Sequence, residues 1–290
     1  MAARRRVIQV RAFAKINRTL QVTGVRPDGY HELRTVFQTV ALHDRLTFIP
    51  EPGALRLECD EPDCPVDRSN LVWRAAASLW TASGRRGAPR GVFVRIEKRI
   101  PLQAGLGGGS SDAAAALRAL AVLWSVTART RARLPELATA LGADVRFFLE
   151  GGTVLGLDRG DTLFPLADAA RTHVVLVLPD FGVSTVDAYR WWDADEPARR
   201  TSKQRKPISG NDLQGPVTRR HPVISRLVAA LSRVGAQTAA MSGSGAAVFG
   251  LFPDARTAKT GAASLAVRGR RVIVTRTIGR AEYRALAGPA

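Results

Sequence analysis

"PLQAGLGGGSSDAAAAL", residues 101–117, sets four glycines and two serines between a proline and a run of alanines. The ten residues before it, "GVFVRIEKRI", alternate apolar and polar as a strand does. From Ser111 onward "SDAAAALRALAVLW" is a strong helix former, with serines where an N-cap is expected and an aspartate in the first turn. The loop therefore joins a strand to a helix N-terminus. Glycines let backbone N–H groups converge on a ligand, and the helix end adds partial positive charge, so the segment reads as a phosphate cradle. Ser110 and Ser111 can supply hydroxyl donors or a magnesium ligand. A Walker A loop is excluded: five residues after Gly105 stands Ser110, and the loop has no lysine. A dinucleotide fingerprint fails too, with Ser110 and Asp112 where a glycine is needed. "DFG" at 180–182 has none of the other kinase motifs around it and reads as chance.

Working outward, alternation predicts strands near 6–13 and 17–24, then in "DRLTFIP" and "LRLEC". "NLVWRAAASLWTAS" has helical spacing, with Leu71, Ala75 and Leu79 on one face, and "LPELATALG" predicts a helix ending at Gly142. "ADVRFFLEGGTVLGLDRGDTLFPL" reads as a short turn and a hairpin. "THVVLVLP" is a continuous apolar run of the kind a buried strand shows, and a domain boundary is expected near 168, just before it. The polar stretch "DADEPARRTSKQRKPISGND" is expected to be a flexible surface loop. Helix, two strands, helix and strand follow it, an α+β pattern.

The chain has 290 residues and 46% hydrophobic content, enough for one large or two modest domains. No apolar run approaches membrane-span length and the N-terminus lacks a signal-peptide core, so a cytoplasmic protein is expected. Cys59 and Cys64, in "CDEPDC", form no CxxC pair and no histidine clusters near them; neither a metal site nor a disulfide framework is expected. The net charge of +18 invites a nucleic-acid reading. Yet only five of the 43 basic residues are lysines, which fits arginine-rich coding bias. The clusters at 4–6, 129–133, 199–206 and 268–271 are scattered and not interleaved with aromatics. An acidic, phosphate-bearing small substrate is an equally natural use of the charge.

The glycine-serine loop resembles the second motif of the GHMP kinases, small-molecule kinases whose proline-led loop wraps the phosphates of ATP. "MSGSGAAVFGLF" (241–252) resembles their third motif and "AFAKINRTLQV" their first. Within that superfamily, "TGVRPDGYHELRTVFQTVALHDRL" (23–46) and "GADVRFFLEGGTVLGLDRGDTLFPL" (142–166) narrow the resemblance. They are similar to the branch that phosphorylates the 2-hydroxyl of a cytidine-diphosphate-carrying methylerythritol in the non-mevalonate isoprenoid pathway. Arg18, Arg146 and Ala247 depart from that branch's usual text. The resemblance implies a two-domain α+β fold. A ribosomal-protein-S5-like α/β domain would span 1–168 and a ferredoxin-like α+β domain 169–290, with the active site between them. It implies ATP, magnesium held with ATP, no nucleic-acid or membrane partner, and a monomer or homodimer.

Site residues follow from the same match. Pro101, Leu102, Gln103, Ala104, Gly105, Leu106, Gly107, Gly108, Gly109, Ser110 and Ser111 would hold ATP. Asp144 in "GADV" would be the base that accepts the hydroxyl proton. Lys15, the only lysine in the first 97 residues, suggests a placed point charge favouring the alkoxide form of the alcohol. Asn17, two residues on, shares its strand face and can help orient substrate. By resemblance Tyr30 and His31 stack on the cytosine and read its edge, and Tyr189 would form the opposite wall. Asp28 and Thr185 are secondary candidates for the diphosphate or erythritol portion. Asp112 or Ser110 can reach magnesium, and the sequence leaves both open. Two other functions stand beside this one. A homoserine- or mevalonate-type GHMP kinase would have no use for "DGYHEL", and a basic RNA-binding protein would not need Lys15, Asp144 and an intact loop together.

Overall fold

The structure, a computed structural model, describes residues 6–195 and 210–289. The basic clusters at 4–6 and 199–206 and the expected loop at 193–212 therefore lie largely outside the described residues. The chain opens with two long antiparallel strands, β1 (Ile8–Val25) and β2 (His31–Ile49). Two separate strands were expected over β1; instead it is continuous, and its interruptions are register shifts at Phe13/Lys15, Asn17/Thr19 and Val22/Gly24. Residues 31–43 extend β2 well beyond the expected "DRLTFIP".

β3 (Arg56–Cys59), α1 (Leu71–Ala82) and β4 (Phe93–Glu97) follow, with Asn70 accepting from Val72 N to cap α1. Next come α2 (Gly108–Leu123), α3 (Ala128–Ala132), α4 (Leu134–Leu141), α5 (Ala143–Glu150), β5 (Thr153–Leu157) and β6 (Thr162–Pro165). The expected short turn before the β5–β6 hairpin is thus the two-turn helix α5. β2 carries β1 on one edge and β4 and β5 at opposite ends of the other. The alanine run explains how α2 fits: Ala113 through Ala116 are all fully buried, letting the helix pass close to α1, α5 and the sheet at once.

The second sheet contains β7 (His173–Pro179), preceding helices α6 (Thr185–Ala194), α7 (Gln214–Arg220) and α8 (Pro222–Arg233). β8 (Thr238–Met241), β9 (Val248–Phe252), α9 (Ala255–Leu265), β10 (Arg270–Arg276) and α10 (Arg280–Leu286) complete it. Strand order β10-β7-β9-β8, antiparallel throughout, is the ferredoxin-like arrangement. β7 is apolar on both faces because both are covered. Val175 and Val177 pack with Leu227 and Leu231 of α8, while Val174, Leu176 and Leu178 pack with Ala14, Ile16 and Leu106 of the first half. That second cluster fastens the glycine-serine loop between the two sheets. Among the described residues no helix is long and apolar enough to cross a membrane.

Candidate active site

The loop from Pro101 to Gly107 enters α2, whose N-cap is Gly107 in the left-handed region (φ 73°), with no side-chain capping bond. The serines expected at the cap lie instead inside the first turn. This correction changes the chemistry. With no hydroxyl folded onto them, the first-turn N–H groups of Gly108, Gly109 and Ser110 have no intrahelical acceptor and are open to an anion. The loop is held from beneath by the third glycine-rich motif. Ser242 Oγ donates to the Gly105 carbonyl (3.0 Å), and Ala247 N donates to the Ala104 carbonyl (3.2 Å). A Cβ on Gly105 (φ 73°) would stand 2.1 Å from the Ser242 carbonyl oxygen. From the other side Lys15 N donates to Leu106 O (2.9 Å). Leu106 is buried, Pro101 half-buried, and Leu102 and Gln103 exposed at the rim. Gln103 packs against Gly182, which gives the "DFG" segment a structural place beside the loop.

Directly below Gly107 lies the Lys15 side chain, 3% exposed. Its Nζ donates to Asn17 Oδ1 (2.5 Å) and stands 3.4 Å from Asp144 Oδ2. Asn17 Nδ2 donates to Thr35 Oγ1 (2.7 Å), which donates to the Thr19 carbonyl (2.7 Å), so the amide is fixed with its oxygen toward the ammonium. Asp144 is in the first turn of α5, with its side chain one-third exposed. The structure thus brings Lys15, Asn17 and Asp144 to the foot of the cradle. Asn211 Nδ2 donates to the carbonyls of Met241 (2.9 Å) and Gly243 (2.7 Å), supporting the motif that closes over them.

A second charged cluster underlies the start of α2. Lys98 Nζ donates to Asp44 Oδ2 (2.5 Å) and Asp112 Oδ2 (2.8 Å), and Asp44 Oδ1 accepts from Arg99 N (2.5 Å) and Ile100 N (2.8 Å). Burial works to lower the Lys98 pKa, but the charges of Asp112 and Asp44 outweigh it and hold the amine charged. Burial raises the Asp112 pKa to about 7, with Lys98 pulling against it. Asp112 is therefore committed to this buried cluster, while Ser110 stays partly exposed at the mouth. Asp44, Lys98, Thr35, Ser242, Ser244 and Asn211 were not anticipated. The only signal for the first two was the residue type itself, an aspartate in "VALHDRL" and a lysine in "VRIEKRI" among many arginines.

The hairpin between β1 and β2 carries the remaining candidates. Asp28 Oδ1 accepts from Tyr30 N (3.1 Å) and Oδ2 from Arg26 Nε (3.4 Å), so it braces the exposed turn, and the Tyr30 backbone bond holds its carboxyl below the usual range. His31 stacks on Tyr189 (4.5 Å between centroids, 25°), and its Nε2 pairs with Asp193 Oδ1 at 2.8 Å. Tyr30 and His31 were both expected against the cytosine with Tyr189 opposite; here the ring lying on Tyr189 is His31, and Tyr30 is 58% exposed beneath the Arg159 guanidinium. Burial, and after it the charge of Asp144, raises the Tyr189 pKa, which links this aromatic cluster to the carboxylate. Thr185 Oγ1 and Ser244 Oγ share a hydrogen bond of 3.1 Å.

Comparison with known proteins agrees with this geometry. The family models for the GHMP kinases N terminal domain and the GHMP kinases C terminal domain match residues 70–152 and 200–268. A 4-diphosphocytidyl-2-C-methyl-D-erythritol kinase of Pelotomaculum thermopropionicum is 42% identical, over 93% of this chain and 98% of that protein. One of Moorella thermoacetica is 41% identical, over 94% and 99%. A crystal structure of 4-(cytidine 5'-diphospho)-2C-methyl-D-erythritol kinase superposes with a TM-score of 0.79 at 36% identity, covering 94% of this chain and 100% of that one. Mevalonate kinase of Methanococcus jannaschii shares the fold alone, at 12% identity and TM-score 0.66, covering 96% and 100%. The two GHMP domains, the loop between the sheets and these relatives make the chain a small-molecule kinase that belongs to the 4-diphosphocytidyl-2-C-methyl-D-erythritol kinase family.

Proposed function

We propose that the protein phosphorylates the 2-hydroxyl of 4-diphosphocytidyl-2-C-methyl-D-erythritol with ATP, in the cytoplasm, as a step of the non-mevalonate isoprenoid pathway. The names of the relatives supply the substrate. The observation that carries the chemistry is the Lys15–Asp144 pair, 3.4 Å apart at the foot of the open helix end. In the proposed reaction Asp144 accepts the 2-hydroxyl proton as the substrate oxygen bonds to the γ-phosphorus. The bond to the β,γ-bridging oxygen breaks, and ADP leaves with that electron pair. Lys15, desolvated and locked by Asn17, stabilises the negative charge on the attacking oxygen. The N–H groups of Gly108, Gly109 and Ser110, with the backbone from Pro101 to Ser111, receive the ATP phosphates.

Magnesium bound with ATP neutralises the charge on the phosphates. The residues fit an ion held mainly by phosphate oxygens: Ser110 is the accessible protein oxygen of the loop, while Asp112 is engaged by Lys98. Tyr30, His31 and Tyr189 receive the cytosine, with His31 leaving its stack on Tyr189 to admit the base. Asn17, Asp28 and Thr185 contact the rest of the substrate. The active site lies between domains divided near residue 168. A coupled ADP-release assay tests this, offering 4-diphosphocytidyl-2-C-methyl-D-erythritol beside homoserine and mevalonate with product mass measured. Turnover of the cytidyl substrate alone is expected; turnover of homoserine or mevalonate instead overturns the substrate assignment.

A further inference from the structure

At the far end of the first sheet lies a cavity of about 870 Å³, between the start of β1, the end of β2 and the C-terminal ends of α1 and α2. Its size is that of a site for a small organic ligand. It is remote from the phosphate cradle: α2 begins at the cradle and ends here, and its 16 residues span about 24 Å at 1.5 Å each. Pro50, Pro52, Gly53 and Gly91 line one wall, residues with little or no side chain to fill the space.

Two features give the cavity a chemical character. Trp80 and Trp124 meet edge to face at 5.0 Å and form an apolar wall, and the Trp124 Nε1–H is buried without an acceptor. Three arginines complete the lining, Arg6, Arg85 and Arg90, and no acidic residue does. Arg85 is committed: its guanidinium lies over Trp80 and donates to the Trp124 carbonyl (2.7 Å), offsetting the negative end of α2. Arg6 and Arg90 are exposed, and neither has a carboxylate partner among the described residues.

We propose that this cavity is a second ligand site, taking an organic anion with an apolar or aromatic body and a phosphate or carboxylate head. The body lies on the Trp80–Trp124 wall and the head meets Arg6 and Arg90. The guanidinium fork is suited to bidentate contact with such a head. A neutral ligand of the same body forfeits that contact.

The test uses the full chain with saturating Mg-ADP, so that the phosphate loop is already filled, and isothermal titration with 1-naphthyl phosphate and with 1-naphthol. One naphthyl phosphate per chain is expected, with naphthol at least tenfold weaker. The Arg6→Gln/Arg90→Gln variant, altered only at two exposed side chains far from the phosphate loop, is expected to bind naphthyl phosphate at least tenfold more weakly, with kcat for the kinase reaction unchanged. Equal affinity for phosphate and naphthol, unchanged affinity in the double variant, or no binding once ADP is present would each overturn the site.

Discussion

At the residue scale the site turns on how few atoms separate a functional contact from a clash. Among the described residues, Asp144 is the one carboxylate paired with the ammonium of Lys15. Asp144→Asn keeps the shape and removes the proton acceptor, so kcat should fall about 10²- to 10⁴-fold. ATP affinity, measured by equilibrium titration, should stay at the wild-type value; full activity in the variant would remove the assignment of Asp144 as base. Gly105 and Gly109 form a matched pair for the loop. Gly105 has φ 73°, and a Cβ there meets the Ser242 carbonyl oxygen at 2.1 Å. A Cβ on Gly109 finds only Leu71 Cδ1, at an ordinary 3.7 Å. Gly105→Ala should therefore cost about 2 kcal/mol or more, and Gly109→Ala should be within about 0.5 kcal/mol of wild type, in denaturant melts. Equal melts would mean the loop relaxes freely away from the third motif. The turn of the glycine loop into a helix was legible from its residues, and the pairing of Lys15 with Asp144 from an isolated lysine read together with the family resemblance. Which ring faces Tyr189 was not legible, since neighbours in sequence such as Tyr30 and His31 take opposite sides of a strand end.

At the scale of elements, alternation and helical spacing placed the strands and the main helices. They misjudged the start of α2 because serine is a good cap in general, whereas here the chain must turn through a left-handed residue that only glycine adopts cheaply. They also missed α5, whose eight residues are bounded by glycines and read locally as a turn. Long-range pairing is invisible to such patterns, and Asp44 lies on β2, Lys98 just past the end of β4 and Asp112 on α2. Lys98→Met should leave two buried carboxylates without a counter-charge and cost about 3–5 kcal/mol at neutral pH. The direction with pH follows. Burial already raises the Asp112 pKa to about 7 against the pull of Lys98, and removing the ammonium raises it further. A carboxyl with a raised folded pKa binds its proton more tightly folded than unfolded. Stability then falls as pH rises from the unfolded value, about 4, through the folded one. The variant's deficit should accordingly be largest near pH 8 and shrink toward pH 5; a deficit independent of pH would mean that the cluster is not held by charge.

At the scale of the whole molecule, the division into two sheets was legible, since the apolar run of β7 follows a complete mixed unit. The coupling between the halves was not. Beside the β7 cluster it rests on α10, the last helix, whose Tyr283 is fully buried against the first half. Its hydroxyl donates to the Phe148 carbonyl of α5, Arg118 of α2 lies over its ring, and a Cβ on Gly151 would overlap the ring itself. The C-terminus thus braces the helix that carries Asp144. Tyr283→Phe should cost about 1–2 kcal/mol by removing one of the two donors to the Phe148 carbonyl and the acceptor of Arg118 Nη2, and Tyr283→Ala about 3–5 kcal/mol by opening a cavity. Because the contact bridges the two halves, both losses should be shared. Hydrogen exchange should show amides of α2 and β7 losing protection together, at the same reduced free energy. Loss confined to α10 while α2 and β7 keep wild-type protection would show that the β7 cluster alone couples the two halves and that α10 is an appendage to it.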